Sequence, residues 1–431
     1  MSSPFEPSDA KLDIIVVGAG ISGFTAAAAA RKAGHRVKIL ERSPSNREIG
    51  YSILLGPNAT RVLSALGFDF VRARCVECTS MSDYDSRTFK LRKSLNLKGL
   101  VESFGGRWQM ILRPDLHNEI KRVALDKESD GPVPELILGT KVVDVDIKSG
   151  TVILEDGTTH SGDLIIGADG ERSLIRDAIV NRPAKLGKVY VRAFRCLVPT
   201  EVLLADPATA STMATRKGDF PYFSDDMNDT ILGWFEARDG TLHDFEAGRL
   251  TLDPDKAKGV SKESARNELL HAYSHYHPDL KKLLEKTTDV TDWPIYFLKP
   301  ISNWTKGKAA LVGDAAHSMF PTTGQGGCQS IEDAGALGVL LGGMRNIDEL
   351  PSRLQLYQSL RMKRVPVIQA MSGTIVGKEG LISEKLHGSL PWGRPPSTEE
   401  LFEFTSGYDV FEDSRRALQD AGESRRVKAH L

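Results

Sequence analysis

LDIIVVGAGISGFTAAAAARKAGHRVKILE, Leu12 to Glu41, decides how the chain begins to fold. Leu12 to Val17 is a continuous apolar run of the kind that forms a strand buried on both faces. Gly18 to Gly23 reads as a tight turn, and Phe24 to Ala33 as an alanine-rich helix ended by Gly34. Arg36 to Leu40 resumes a strand that closes on Glu41. Strand, glycine turn, helix and strand in this order are the context a GxGxxG motif needs to bind a dinucleotide. Gly18 allows the turn, Gly20 lets the backbone approach a pyrophosphate, and Gly23 permits close helix–strand packing. A helix starting near Ser22 aims unpaired N–H groups and a partial positive charge at that phosphate. Glu41 stands where a carboxylate can accept hydrogen bonds from ribose hydroxyls.

GxGxxG alone does not separate NAD from FAD. A second stretch far downstream does: LVGDAAHSMFPTTGQGG, Leu311 to Gly327. Its strand ends at Gly313 and places Asp314 where it can bind a polyol hydroxyl of a ribityl chain. Gly324 to Gly327 opens a helix from about Gln325 to Leu341. Such a helix start beneath a flavin ring would stabilise negative charge at N1 and O2 by about 0.3–2 kcal/mol. His317, beyond an Ala-Ala pair, is read as structural, since a base assignment needs geometry. Between the two stretches lies a GADG, Gly167 to Gly170, after a short strand over Asp163 to Ile166.

The rest of the chain supplies a frame. A helix is expected over Pro57 to Leu66, stopped by Gly67. Gly139 to Ile147 and Thr151 to Glu155 alternate as a hairpin around Ser149-Gly150. From about residue 185 to 290 the texture becomes sheet-rich, with strands over Lys188 to Val198 and Thr230 to Ala237 and a helix near Ser261 to His275. Lys308 to Val312 returns as a strand. Ser352 to Gly377 is a long helix that tolerates Pro366. LPWGRPPS, Leu390 to Ser397, is a turn-filled linker, and Arg415 to Lys428 a solvated helical tail.

Composition narrows the function classes. The chain has 431 residues, a net charge of −1 and 40% hydrophobic residues, enough for a large core in two or three domains. That charge draws it neither to nucleic acid nor to anionic lipid. No run approaches the roughly 18 to 20 apolar residues of a membrane span, and a cytoplasmic protein is expected. Four cysteines make no disulfide framework. Cys75 and Cys78 form a CxxC without the further ligands zinc needs, so no metal is expected. Cys196 and Cys328 read as small buried residues.

Three motifs together, GAGISG, GADGERSLIR (Gly167 to Arg176) and GDAAHSMFPTTGQGG, resemble the single-component flavoprotein aromatic hydroxylases, the group of p-hydroxybenzoate and salicylate hydroxylases. GPNATRVLSALG (Gly56 to Gly67), LRPDLHNEI (Leu112 to Ile120) and RCLVP (Arg195 to Pro199) are similar to the salicylate-hydroxylase-like branch. FTSGYDV (Phe404 to Val410) resembles the tails of fungal members serving secondary metabolism. The resemblance runs from about residue 12 to 380. It implies an α/β fold with an α+β insert: a Rossmann-like FAD-binding domain (residues 1–70, 106–184 and 285–345), a discontinuous sheet-rich substrate domain (71–105 and 185–284) and a helical C-terminal region (346–431).

The resemblance also implies a site. Glu41 and Arg42 would hold the adenosine ribose, and Ser52 would lie beside the cofactor. Arg113 would reach the phosphate or ribityl region, Asp314 the ribityl chain, and Gly326 and Gly327 the ring. Asp169 sits in the motif that serves both FAD and the passing NAD(P)H. Arg195 matches an arginine that contacts the substrate phenolate in fungal hydroxylases, a role suited to a permanently charged fork. Their tyrosine some thirty residues later is matched by DFPYFSDD, where Tyr222 is the nearest candidate and Ser224 shares its side of the strand. Trp234 is read as pocket wall or core. The implied activity is an FAD-dependent NAD(P)H:O2 monooxygenase that hydroxylates a small aromatic or polyketide-like substrate through a flavin C4a-hydroperoxide, in a monomer or homodimer. Epoxidation, dearomatisation or oxidative decarboxylation on the same fold is the alternative, and a non-catalytic FAD-binding protein a remote one. A flavin halogenase lacks its Trp-x-Trp-x-Ile stretch, of which Trp293-Pro-Ile is a fragment.

Overall fold

A computed structural model describes residues 3–46, 50–183, 191–214, 216–225, 227, 230–250, 262–296, 298–373, 390–394 and 396–429. Strand Asp13–Val17 lies inside a six-stranded sheet. In order, its strands are Thr305–Lys306, Ala309–Leu311, Leu164–Gly167, Asp13–Val17, Arg36–Glu41 and Glu135–Leu138. All neighbours pair in parallel except Thr305–Lys306, which is antiparallel to Ala309–Leu311. This sheet brings the three expected motifs side by side, because GAGISG, GADG and GDAA each leave the C-terminal end of a neighbouring strand. Open parallel sheets bind ligands at that end.

One helix lies on the sheet and a second packs behind it. Helix Ile21–Lys32 has almost no exposed residue, and its alanines let helix Gly326–Leu341 approach closely. A Cβ added at Gly338 would stand 2.8 Å from Cβ of Ala29. The expected Pro57–Leu66 helix forms as read, with Gly67 left-handed after it, at φ 92°. Helix Leu350–Ser372 continues through Pro366, and residues 374–377 of the expected helix lie outside the described residues. So do Lys188 to Tyr190 of the expected strand, which is observed as Val191–Pro199, and Ser261 of the expected helix, observed as Lys262–Ala272.

The second large sheet has seven strands, ordered Thr291–Ile295, Val191–Pro199, Leu242–Leu250, Thr230–Ala237, Asp219–Asp225, Ser80–Asp85 and Leu91–Asn96. Its two faces differ. Phe194, Cys196, Phe245, Leu232, Trp234 and Phe223 point to one side and form a core with helices Lys262–Ala272 and Pro278–Glu285. Trp234 is therefore core: it stacks on Phe245 and donates Nε1–H to His243. Thr291–Ile295, beyond residue 285, completes this sheet by pairing antiparallel with Val191–Pro199. Apolar alternation is weak in TDWPI, with Trp293 exposed at its centre, so nothing in the segment marked it as an edge strand.

A small three-stranded sheet, Ser52–Leu55, Trp108–Leu112 and Val76–Cys78, joins the two bodies. The CxxC straddles it without a disulfide. Burial pushes the Cys75 thiol up to about 12, and Cys78 rises further for the same reason.

Candidate active site

The glycine turn holds its shape through contacts a side chain would break. Gly18 has φ 103°, and a Cβ there would stand 2.4 Å from the carbonyl oxygen of Ala168, in the GADG turn. At Gly20 the same test meets nothing within 4 Å, so its backbone faces open space. No side chain caps helix Ile21–Lys32, which leaves its first-turn N–H groups aimed at that space. Glu41 braces the rim: one carboxylate oxygen accepts from Ala19 N and the other from Ser43 N, each at 2.8 Å. Arg42 is exposed beside it. His117, buried on helix Arg113–Leu125, reaches Ala19 O at 2.8 Å from Nε2. Sequence reading missed His117; its signal is a histidine on the apolar side of LRPDLHNEI.

Asp169 turns inward. Its carboxylate accepts from the Ser173 hydroxyl and from Leu174 N and Ile175 N, the open first turn of helix Leu174–Val180, whose N-cap is Ser173. Burial raises its pKa against those donors. Asp314 is the opposite case, exposed at the first position of helix Asp314–His317. Gly313 before it packs against the other motif, since a Cβ there would lie 2.8 Å from Cβ of Ser22. The two distant stretches thus meet at one place.

The second helix start is equally open. Gly324 faces empty space, and a Cβ at Gly327 would touch only Ile53, at 3.6 Å. No side chain caps helix Gly326–Leu341. Beneath it runs a buried ion network. Asp333 accepts from Gly313 N at 2.8 Å, His317 Nε2 at 2.7 Å and Arg361 Nε at 2.7 Å. Glu332 is held by Arg361 at 2.6 Å, by Arg364 and by Asn58. Burial alone would push Glu332 up, but Arg364 and Arg361 bring it down to about 2. His317, fully buried and stacked on Trp304, is structural as expected. This network was not legible, because its carboxylates sit in a helix that otherwise reads as apolar.

Facing these helix starts is the polar side of the seven-stranded sheet. Thr291, Arg195, Glu246, Gly233, Tyr222, Asp83 and Lys93 form one row of directly opposed residues across all seven strands. Arg195 and Tyr222 therefore share a face but stand three strands apart, about 14 Å from strand spacing. Ser224, on the same side of its strand as Tyr222, accepts from Arg92 Nη1 at 2.9 Å. Glu246 was missed by sequence reading, although it is the direct neighbour of Arg195. Ser52 N donates to Asp244, and the Tyr51 hydroxyl bonds Thr291, so the start of strand Ser52–Leu55 is tied to this row.

A cavity of about 160 Å³ lies between the bodies, lined by Leu54, Met81, Trp108, the turn Thr322 to Gln325, and Leu401 and Phe402 of helix Thr398–Ser406. Arg364 donates to the carbonyls of Phe404 and Thr405, and Arg61 to that of Tyr408 at 2.8 Å, so FTSGYDV is fastened against the cavity. A larger hollow of about 390 Å³ is walled by Leu298, Met319, Phe320 and Pro366. Among the described residues no group of three metal-ligating side chains occurs, and no helix is long and apolar enough to cross a membrane.

Two uncapped helix starts, two open glycine cradles and an unclamped aspartate between them fit an extended dinucleotide with a flavin at one end. A family profile describing an FAD binding domain matches residues 11–372. An FAD-dependent monooxygenase of Aspergillus candidus is 34% identical over 426 residues, 95% of each chain. Hispidin-3-hydroxylase of Neonothopanus nambi is 32% identical over 428 residues, 95% of this chain and 96% of that one. A salicylate hydroxylase substrate complex shares the fold, with a TM-score of 0.72 at 22% identity, covering 95% of this chain and 98% of that one. The chain belongs to the FAD-binding-domain family of FAD-dependent monooxygenases and hydroxylases.

Proposed function

We propose that this enzyme uses NAD(P)H and O2 to hydroxylate a small electron-rich aromatic or polyketide-like compound, in aromatic catabolism or fungal secondary metabolism. The observation that carries this reading is the cavity that the flavin-side elements Ser52–Leu55 and Thr322–Gln325 wall together with Met81, on the same sheet face as the Arg195 row. Bound FAD, once reduced, supplies the activation of O2 and the transfer of one oxygen atom. The chain positions and encloses. Gly18, Gly20 and Gly23 receive the pyrophosphate, Glu41 and Arg42 the adenosine ribose, Arg113 and Asp314 the phosphate and ribityl region, and Gly326 and Gly327 the ring. Ser52 stands beside the ring, and Asp169 shapes the turn against Gly18 from within. Arg195 orients the substrate oxygen, with Tyr222 three strands further along the same row. Leu54, Trp108 and Phe402 keep water from the reacting ring.

In this reading the FAD-binding part comprises residues 1–70, 106–184 and about 296–345, and the substrate part 71–105 and 185–295. The enzyme is cytoplasmic and works as a monomer or homodimer. The test is anaerobic reduction of the bound flavin by NADH or NADPH, with and without phenolic ligands. Reduction that a ligand accelerates at least tenfold supports the reading. Flavin that neither nucleotide reduces with any ligand present would return the chain to a binding role.

A further inference from the structure

The junction of Tyr51 and Ser52 with the seven-stranded sheet holds more hydrogen-bonding capacity than the fold consumes. Arg195 and Glu246 are cross-strand partners on the face turned to the flavin side. Their closest approach, Nε to Oε1 at 3.6 Å, is an ion pair too long to be a hydrogen bond. Arg195 Nε is buried without a partner, as are Oδ1 of Asp244 and Oγ of Ser52. Ser52 is 6% exposed, and both its backbone N–H and its hydroxyl face the Asp244 carboxylate. A buried polar group left unpaired is costly to the fold, which favours a ligand that pairs with it. Ser52 precedes Ile53, which lies 3.6 Å from the Cβ position at Gly327. The idle groups therefore border the helix start assigned to the flavin ring.

Charge says what such a place accepts. An arginine alone would select an anion, but this one has a carboxylate opposite it and a second, Asp244, two residues along the same strand. Burial pushes Asp244 up to about 8 and Glu246 upward too, with Arg195 drawing both down. With two carboxyl groups beside it, the charge of Arg195 is countered locally. Arg195 and Glu246 remain partly open, while Asp244 is sealed behind them. A guanidinium donor and a carboxylate acceptor side by side match a ligand edge that carries an acceptor beside a donor.

Building on the monooxygenase reading, we propose that Glu246 is a specificity-determining residue and that with Arg195 it binds a neutral ring bearing a carbonyl next to a hydroxyl or N–H. Arg195 donates to the carbonyl and Glu246 accepts from the hydroxyl or N–H. A carboxylate at that edge is repelled, despite the arginine.

Equilibrium dialysis of the FAD-loaded protein at neutral pH, with 2-hydroxybenzamide and 2-hydroxybenzoate as probes, tests this. The amide should bind at least tenfold more tightly. Glu246→Gln should erase or reverse that preference, with the benzoate gaining at least fivefold, whereas Glu246→Asp, which keeps the charge, should retain it. A wild-type preference for the benzoate, a ratio unchanged in Glu246→Gln, or binding of neither probe at millimolar concentration overturns the proposal. Dialysis does not depend on turnover, so a flavin that NAD(P)H cannot reduce would count against the monooxygenase reading alone.

Discussion

Single glycines and single carboxylates separate folding from binding here. Gly18→Ala forces a side chain onto Ala168 O at a backbone angle that disfavours it, at a cost of about 1–3 kcal/mol from strain alone. Gly20→Ala meets open space, so the fold should tolerate it while FAD affinity falls at least tenfold, about 1.4 kcal/mol. Thermal melting of the apoprotein and flavin titration check the pair, and equal melting losses would contradict it. Asp244 gives the pH prediction. Its carboxyl ionises near 4 when unfolded and near 8 when folded, so the folded state binds the extra proton between those values. That stabilisation is complete below about 4 and drains away as pH rises through 8. Glu332 has the opposite sign, stabilising above the ordinary carboxylate range and losing effect as pH falls through 2. Asp244→Asn keeps an acceptor for Ser52 N and should flatten the fall in Tm between pH 6 and 9; an unchanged slope would argue against the assignment. Of these residues, Gly18 and Gly20 were legible from their spacing. Asp244 and Glu246 were not, because only sheet register places them beside Arg195.

Elements that read as independent pieces are coupled through buried charge. Helix Gly326–Leu341 reads as an apolar core helix opened by glycines, and it forms as expected. Its Glu332 and Asp333 tie the flavin-side helix start to helix Leu350–Ser372 through Arg361 and Arg364. Arg361→Met would leave two carboxylates short of their buried partner and should cost about 3–5 kcal/mol, measured by denaturant unfolding. A loss below about 1 kcal/mol would mean the carboxylates find another neutralisation. Helix Thr398–Ser406 was hidden from sequence reading, since its apolar residues are few and its packing surface is the distant pocket wall. Its Phe402, near Trp108 at 6.3 Å between ring centroids, should act as a size filter. Phe402→Ala is expected to improve kcat/KM for bulky phenols at least fivefold relative to unsubstituted ones. An unchanged ratio across a graded phenol series would remove Phe402 from the wall.

At the scale of the whole molecule, two sheets with different jobs face each other across a small one. The parallel sheet was legible because its motifs carry backbone constraints that only glycine meets, and those constraints survive in any sequence that folds this way. The seven-stranded sheet was legible as texture but not in extent, since its edge strand Thr291–Ile295 lacks an apolar face and its first strands come from before residue 100. The pocket was illegible as a whole, because its walls come from six separated segments whose meeting depends on packing. The account's central claim is that this arrangement transfers one oxygen atom from O2 to an aromatic ligand at the Arg195 face. The most direct measurement is turnover of the FAD-loaded enzyme with NAD(P)H, isotopically heavy O2 and a ligand that stimulates nucleotide oxidation, followed by mass analysis of the product. The account predicts a product carrying one heavy oxygen atom. Peroxide as the only product, or an added oxygen that carries no label, would contradict it.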